Sequence, residues 1–185
     1  MNDASAKNPA PVPLDSSGAK PGKAPPMVMF TPETLGALLA PGQRLIGLDV
    51  GSKTIGLALS DVSRTIATAL LTIQRTKFKA DAARLLAIAA EHKAGALIIG
   101  LPTNMDGSSG PRVQSTKSFA RHLSLLTNLP LAFWDERLST AAVERTLIEA
   151  DTTRKRRAEV IDKMAAAFIL QGFLDRSQRL AALPD

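Results

Sequence analysis

Arg44-Leu-Ile-Gly-Leu-Asp49-Val-Gly-Ser-Lys53-Thr-Ile-Gly-Leu-Ala-Leu-Ser-Asp61 is the stretch that decides the fold. Two apolar runs flank Gly51-Ser52-Lys53, which predicts a β-hairpin with a tight loop. Side chains alternate along a strand, so Leu45, Gly47 and Asp49 share one face while Ile46, Leu48 and Val50 share the other. Asp49 is the anomaly, a carboxylate ending an otherwise apolar strand. Taking it out of water costs on the order of several kcal/mol unless something compensates. A backbone donor, a basic side chain or a metal ion would each do so.

Outward from the hairpin, the run Thr65–Thr76 is rich in Ile, Leu and Thr and predicts a third strand, joined by short links into an antiparallel meander. Phe78–Lys93 places Ala82, Leu85, Leu86, Ile88 and Ala89 on or near one helix face, with Gly95 as the expected terminator. Ala96–Leu101 is a continuous apolar run, as in a strand buried on both faces of a parallel sheet. A Gly- and Ser-rich loop leads to a helix over Pro111–Thr127, with Val113, Phe119, Leu123 and Leu126 inward. Leu131–Trp134 reads as a fifth strand, with Trp134 in the core. A helix over 139–150, a polar basic connector over 151–157 and a long last helix over 158–180 complete the chain. Upstream, Thr31 and Pro32 read as the N-cap and first residue of a short helix within 32–40.

A meander followed by right-handed β-α-β crossovers gives an α/β fold. Its mixed five-stranded sheet has the order 3-2-1-4-5, with helices on both faces. The first strand is then central. Asp49 stands at its carboxyl end, where connections leave in opposite directions and where ligands collect in open α/β sheets.

The chain has 185 residues, no cysteine and two histidines, His92 and His122. A disulfide framework and a thiolate metal site are excluded, and a histidine-based zinc site has too few ligands. Metal chemistry must rest on oxygen donors, which favours Mg2+ or Mn2+. The net charge of +6 suits a polyanionic partner, although many proteins are basic without one. Residues 1–30 are rich in Pro, Ala and Ser with no hydrophobic period, and read as a disordered extension before a single domain over 31–185. No run is long enough to span a bilayer, and the extension lacks the apolar core of a secretion signal. A cytoplasmic protein without membrane attachment is expected.

Three acids lie where this topology can bring them together: Asp49, Glu136 after the fifth strand, and Asp162 early in the last helix. Ala165 and Ala166 share a helix face with Asp162. Such small residues let the helix approach Gly47 and Asp49. Clustered carboxylates repel, and one takes up a proton unless a cation holds them apart. One or two divalent metals there would make a phosphodiester-hydrolysing site. Each acid alone has an ordinary reading. Asp49 suits a turn or cap, Glu136 an ion pair with Arg137, and Asp162 the first turn of a helix. Only the conjunction points to metal chemistry. Asp135 competes with Glu136, and alternation sends the two to opposite faces. Asp61 and Asp106 read as turn acids.

Four segments carry a family likeness. They are Gly47-Leu-Asp-Val-Gly-Ser-Lys-Thr-Ile-Gly-Leu-Ala-Leu-Ser-Asp61, Gly100-Leu-Pro-Thr-Asn-Met-Asp-Gly107, Asp135-Glu-Arg-Leu-Ser-Thr140 and the late Asp162-x-x-Ala-Ala. In this order and spacing they resemble the YqgF/RuvX family over residues 43–175. The resemblance implies an RNase H-like fold related to the RuvC resolvase. It implies Asp49, Glu136 and Asp162 as catalytic, metal-binding acids. It also implies a metal-dependent nuclease that matures the 5′ end of pre-16S ribosomal RNA, acting on pre-rRNA or ribosomal particles, or one that resolves Holliday junctions in branched DNA. Resolving a junction needs two cuts and usually a symmetric dimer. No dimer interface is visible in the sequence, which favours ribosomal RNA.

Lys53, Arg137 and the run Arg154-Lys155-Arg156-Arg157 are the candidate nucleic-acid contacts, positioning the substrate without specifying it. Each also has a plain reading as an ion-pair partner or solvated surface. Two further classes are set aside. The Asp49-Val-Gly-Ser hairpin also resembles the phosphate hairpin of ATP-binding phosphotransferases, but those need two such domains. A non-catalytic RNA-binding module would have no need of three acids.

Overall fold

The computed structural model describes residues 29–102, 110–135 and 154–182. In chain order these residues form β1 (Met29–Phe30), α1 (Pro32–Leu35) with a 3-10 turn (Gly36–Leu38), β2 (Arg44–Val50), β3 (Thr54–Ser60), β4 (Ala67–Gln74), α2 (Phe78–Glu91), β5 (Ala94–Leu101), α3 (Pro111–Ser124), β6 (Leu131–Asp135) and α4 (Arg154–Ala181). The sheet order is β1-β6-β5-β2-β3-β4. β2, β3 and β4 form the antiparallel meander, while β5 and β6 continue parallel to β2. The five expected strands therefore lie in the expected order, with β2 central. β1 is an addition: Met29 and Phe30 pair parallel with Leu131 and Ala132. These two residues were expected within the disordered stretch 1–30. Pairing on an open sheet edge is made by the backbone and leaves no hydrophobic period to read. Residues 1–28 and the expected helix over 139–150 lie outside the described residues.

Alternation along β2 sorts the core into two layers. Ile46, Leu48 and Val50, with Leu97 and Ile99 of β5, pack against Leu85 of α2 and Phe119 and Leu123 of α3. Leu45, with Ile98 and Trp134, packs on the other face against Leu35 of α1 and Leu170 and Phe173 of α4. β5 is buried from residue 94 to 100, as its unbroken apolar run requires. Each fully buried Leu or Ile contributes about 1.5–3 kcal/mol. Two glycines let α4 lie directly on the hairpin. A Cβ at Gly47 would sit 2.7 Å from the Ala166 carbonyl oxygen and from Leu170 Cβ, and one at Gly56 would collide with the Asp162 carbonyl.

Three local expectations are corrected. α2 ends at Glu91, and the left-handed residue that turns the chain is Lys93 at φ 53°, not Gly95. Gly95 lies inside β5, where a Cβ would crowd Gln43 Oε1 at 2.7 Å. Leu126 lies past the end of α3 and is 50% exposed, so it is not inward. Arg154–Arg157 is not a connector but the start of α4. Arg and Lys are good helix formers, and no Gly or Pro separates them from Ala158.

Candidate active site

Asp49 is the penultimate residue of β2, on the face that α4 covers. The next residue but one, Gly51, donates its amide to the Thr54 carbonyl at 2.9 Å and closes the hairpin loop. Asp162 arrives from α4, one turn before the fully buried Ala166 that anchors the helix. The glycines under α4 are what make this approach possible. Gly56 admits the Asp162 backbone, and Gly47 admits the next turn. Burial first, and then the negative charge of Asp162, lift the Asp49 carboxyl from 3.8 to about 6, against the partly opposing pull of the Arg112 guanidinium. Asp49 and Asp162 are thus brought within electrostatic reach, as their positions in the sequence suggested.

A cleft of about 690 Å³ opens beside the pair. Lys53 of the hairpin loop and Gln74 of β4 line one side, Arg112 and Ser115 of α3 the other, and Asp162 faces into it from α4. The cleft straddles the end of the sheet, because α3 and α4 lie on opposite faces. The donor set is two carboxylates that repel in a partly dry place. Hard oxygen donors of this kind fit a divalent cation, which would remove both the repulsion and the cost of burial.

The other expected site residues divide. Among the described residues no group of three His, Asp or Glu side chains converges. Glu136 and Arg137 lie outside the described residues, as do the side chains of Arg154, Lys155, Arg156 and Arg157. Along β6, Leu131 and Phe133 face α2 and α3 while Ala132 and Trp134 face α4. Asp135 therefore falls on the face opposite Asp49. Arg112, Ser115 and Gln74 were not singled out from the sequence. Pro111 marks the start of α3 and so places Arg112 in its first turn. Nothing local shows that this turn abuts the hairpin loop.

A mixed α/β sheet with helices on both faces and two acids at the carboxyl end of its central strand is the class of protein that fold and site define. Within that class the chain belongs to the RuvX family, whose model, described as "RuvX: Holliday junction resolvase", matches residues 43–176. A Methylocella silvestris protein is 65% identical over 148 residues, which is 80% of this chain and 92% of the relative. One from Paramagnetospirillum magneticum is 61% identical over 155 residues, 84% of this chain and 100% of the relative. Both carry the name "Putative pre-16S rRNA nuclease". Among solved structures the chain is similar to "T. thermophilus RuvC in complex with Holliday junction substrate", with a TM-score of 0.45 and 16% identity over 72% of this chain and 95% of that one.

Proposed function

We propose that this protein is a metal-dependent nuclease that hydrolyses phosphodiester bonds of structured nucleic acid, with precursor 16S ribosomal RNA as its substrate. One observation carries this function: Asp49 and Asp162 come within electrostatic reach of each other beside a cleft lined by Lys53 and Arg112. The names of relatives 61–65% identical to the chain support the choice of RNA. Asp49, Glu136 and Asp162 are the catalytic acids and the ligands for Mg2+ or Mn2+. Glu136 enters on its sequence position alone, one residue beyond β6.

A divalent metal held by these acids would supply an activated water and charge neutralisation at the phosphate. The rest is the work of the chain. The two aspartates present carboxylates from the end of β2 and from the third turn of α4. Lys53 and Arg112 approach from opposite sides and orient the phosphate between them, Arg112 with a fork suited to two oxygens. Arg137 and the run Arg154–Arg157 hold the flanking backbone. That run occupies the first turn of α4. Cations there oppose the positive end of the helix, an arrangement that a polyanion relieves. Among the described residues no helix is long and apolar enough to cross a membrane. We place the protein in the cytoplasm, with its RNA.

A cleavage panel tests this function. Pre-16S RNA, a four-way DNA junction and plain duplex are each incubated with wild type and with Asp49→Asn, in Mg2+ and in Mn2+. The wild type is expected to cut the RNA, and the variant to keep its fold and lose cleavage. Undiminished cleavage by Asp49→Asn removes the site. Cleavage of the junction alone, together with a dimer in sedimentation, transfers the function to junction resolution, which the family's description favours.

A further inference from the structure

Arg75 follows directly after β4, and three interactions meet on it. Its backbone amide donates to the Lys53 carbonyl at 2.8 Å. Its guanidinium Nη1 donates to the Gly51 carbonyl at 2.6 Å. The same guanidinium lies 5.7 Å over the ring of Phe119 in α3. The hairpin loop 51–53 is thus tied at both ends to one arginine, whose head rests on the helix that supplies the opposite side of the cleft. Phe119 stands one turn beyond Ser115, which lines that side.

Arg75 is itself held. The next residue, Thr76, donates its amide to both carboxylate oxygens of Asp81, at 3.0 and 3.1 Å, and its hydroxyl to one of them at 3.0 Å. Asp81 is buried in the first turn of α2. Phe119 is braced edge-to-face by Phe78 of the same helix, with ring centroids 5.6 Å apart. The frame behind Arg75 therefore rests on buried contacts, while the loop in front of it is exposed at Ser52 and Lys53. The loop closes on the hydrogen bond from the Gly51 amide to the Thr54 carbonyl, and an exposed loop of this kind has little of its own to hold a fixed shape.

We infer that Arg75 is a positioning residue, which sets the distance between the hairpin loop and α3 and so holds Lys53 and the end of β2 in working register with Arg112. The assignment rests on the nuclease function proposed above. Arginine suits the task better than lysine. One planar group both donates to a carbonyl and stacks on a ring, and a lysine ammonium does only the first well.

The test uses the full chain as wild type, Arg75→Ala and Arg75→Lys, with kinetics on the substrate the wild type cuts and amide hydrogen exchange on all three. Arg75→Ala is expected to lower kcat by about a hundredfold, the scale of a displacement near 1 Å, while KM changes little. Arg75→Lys is expected to fall between. Methylguanidinium at millimolar concentration restores part of the kcat of Arg75→Ala, and sodium chloride at equal ionic strength does not. Exchange at residues 51–54 rises in Arg75→Ala, with β5 unchanged. Wild-type kcat and loop exchange in a folded Arg75→Ala overturn the assignment. So does a loss of rate that matches a lower folded fraction and shows no rescue. If Arg75→Ala does not fold, Arg75→Lys carries the same two readouts. If the wild type cuts nothing in the panel, the nuclease function fails, and loop exchange alone still decides whether Arg75 holds the loop.

Discussion

Asp49 and Asp61 end neighbouring strands and show what separates an acid held for chemistry from one held for structure. Asp61 accepts the amides of Ile66 at 2.9 Å and Thr65 at 2.6 Å, and the Ser63 hydroxyl, and these donors pull its carboxyl down to about 2. It is the turn acid the sequence suggested. Asp49 moves the other way, from 3.8 to about 6, because burial and Asp162 both disfavour its charge. The sign for stability follows. A carboxyl that is harder to ionise in the folded chain binds more protons there than in the unfolded chain. Stability therefore falls as pH rises through the interval from 3.8 to about 6, and the penalty stays in full above it. A rise of this size corresponds to roughly 3 kcal/mol, less where solvent reaches the group. Asp49→Asn removes the charge and keeps the shape. Without metal at pH 7.5, the variant is expected to be more stable than wild type by about 1–3 kcal/mol, a difference that disappears below pH 4. Urea unfolding followed by the fluorescence of Trp134, the single tryptophan, measures it. A variant less stable than wild type at pH 7.5 would show that Asp49 is compensated within the metal-free protein.

Elements differ in how far sequence betrays them. The hairpin was legible because two apolar runs flank Gly51-Ser52-Lys53, and side-chain direction alternates along each, so Leu45 and Ile46 could each be assigned a face. β5 was legible because its apolar run is unbroken. The start of α4 was not. A run of four cations looks like solvated chain, and only the packing of the helix behind it shows that the turn is helical. Arg75 and Arg112 were missed for a related reason. Each is an ordinary surface arginine until the hairpin loop and α3 are known to face each other. What could be read in Gly47 was room for the last helix; the tighter place proved to be Gly56, on the partner strand beneath Asp162. That contact is with helix backbone, which cannot rotate away. Gly56→Ala is therefore expected to destabilise the fold by about 3 kcal/mol, at the upper end of the overpacking range, and to lift Asp162 away from Asp49. Gly36→Ala is the control. A Cβ there meets nothing within 4 Å and φ is −55°, so the change should be neutral or stabilising by up to about 1 kcal/mol. Equal losses in the two variants would mean that α4 does not lie as tightly on β3 as the structure has it.

At the scale of the molecule, the end of the sheet gathers parts far apart in sequence: Asp49 from β2, Arg112 from α3 and Asp162 from α4. A cation held between the aspartates would fasten α4 to the central strand, and unfolding would have to release it. Binding then appears as global stability, by about 2.7 kcal/mol at a hundredfold excess over Kd. Wild type is expected to gain stability with Mn2+ at pH 7.5, and Asp49→Asn to gain little. The two proteins should therefore exchange rank, the variant being the more stable in EDTA and the wild type in saturating Mn2+. Protons compete for the same carboxyl, so the wild-type gain should shrink as pH falls below about 6, where Asp49 is protonated in the folded chain. Thermal unfolding of both proteins across a Mn2+ titration, at pH 7.5 and pH 5, reads all of this without any substrate. An equal Mn2+ shift in wild type and variant would put the cation somewhere other than between Asp49 and Asp162.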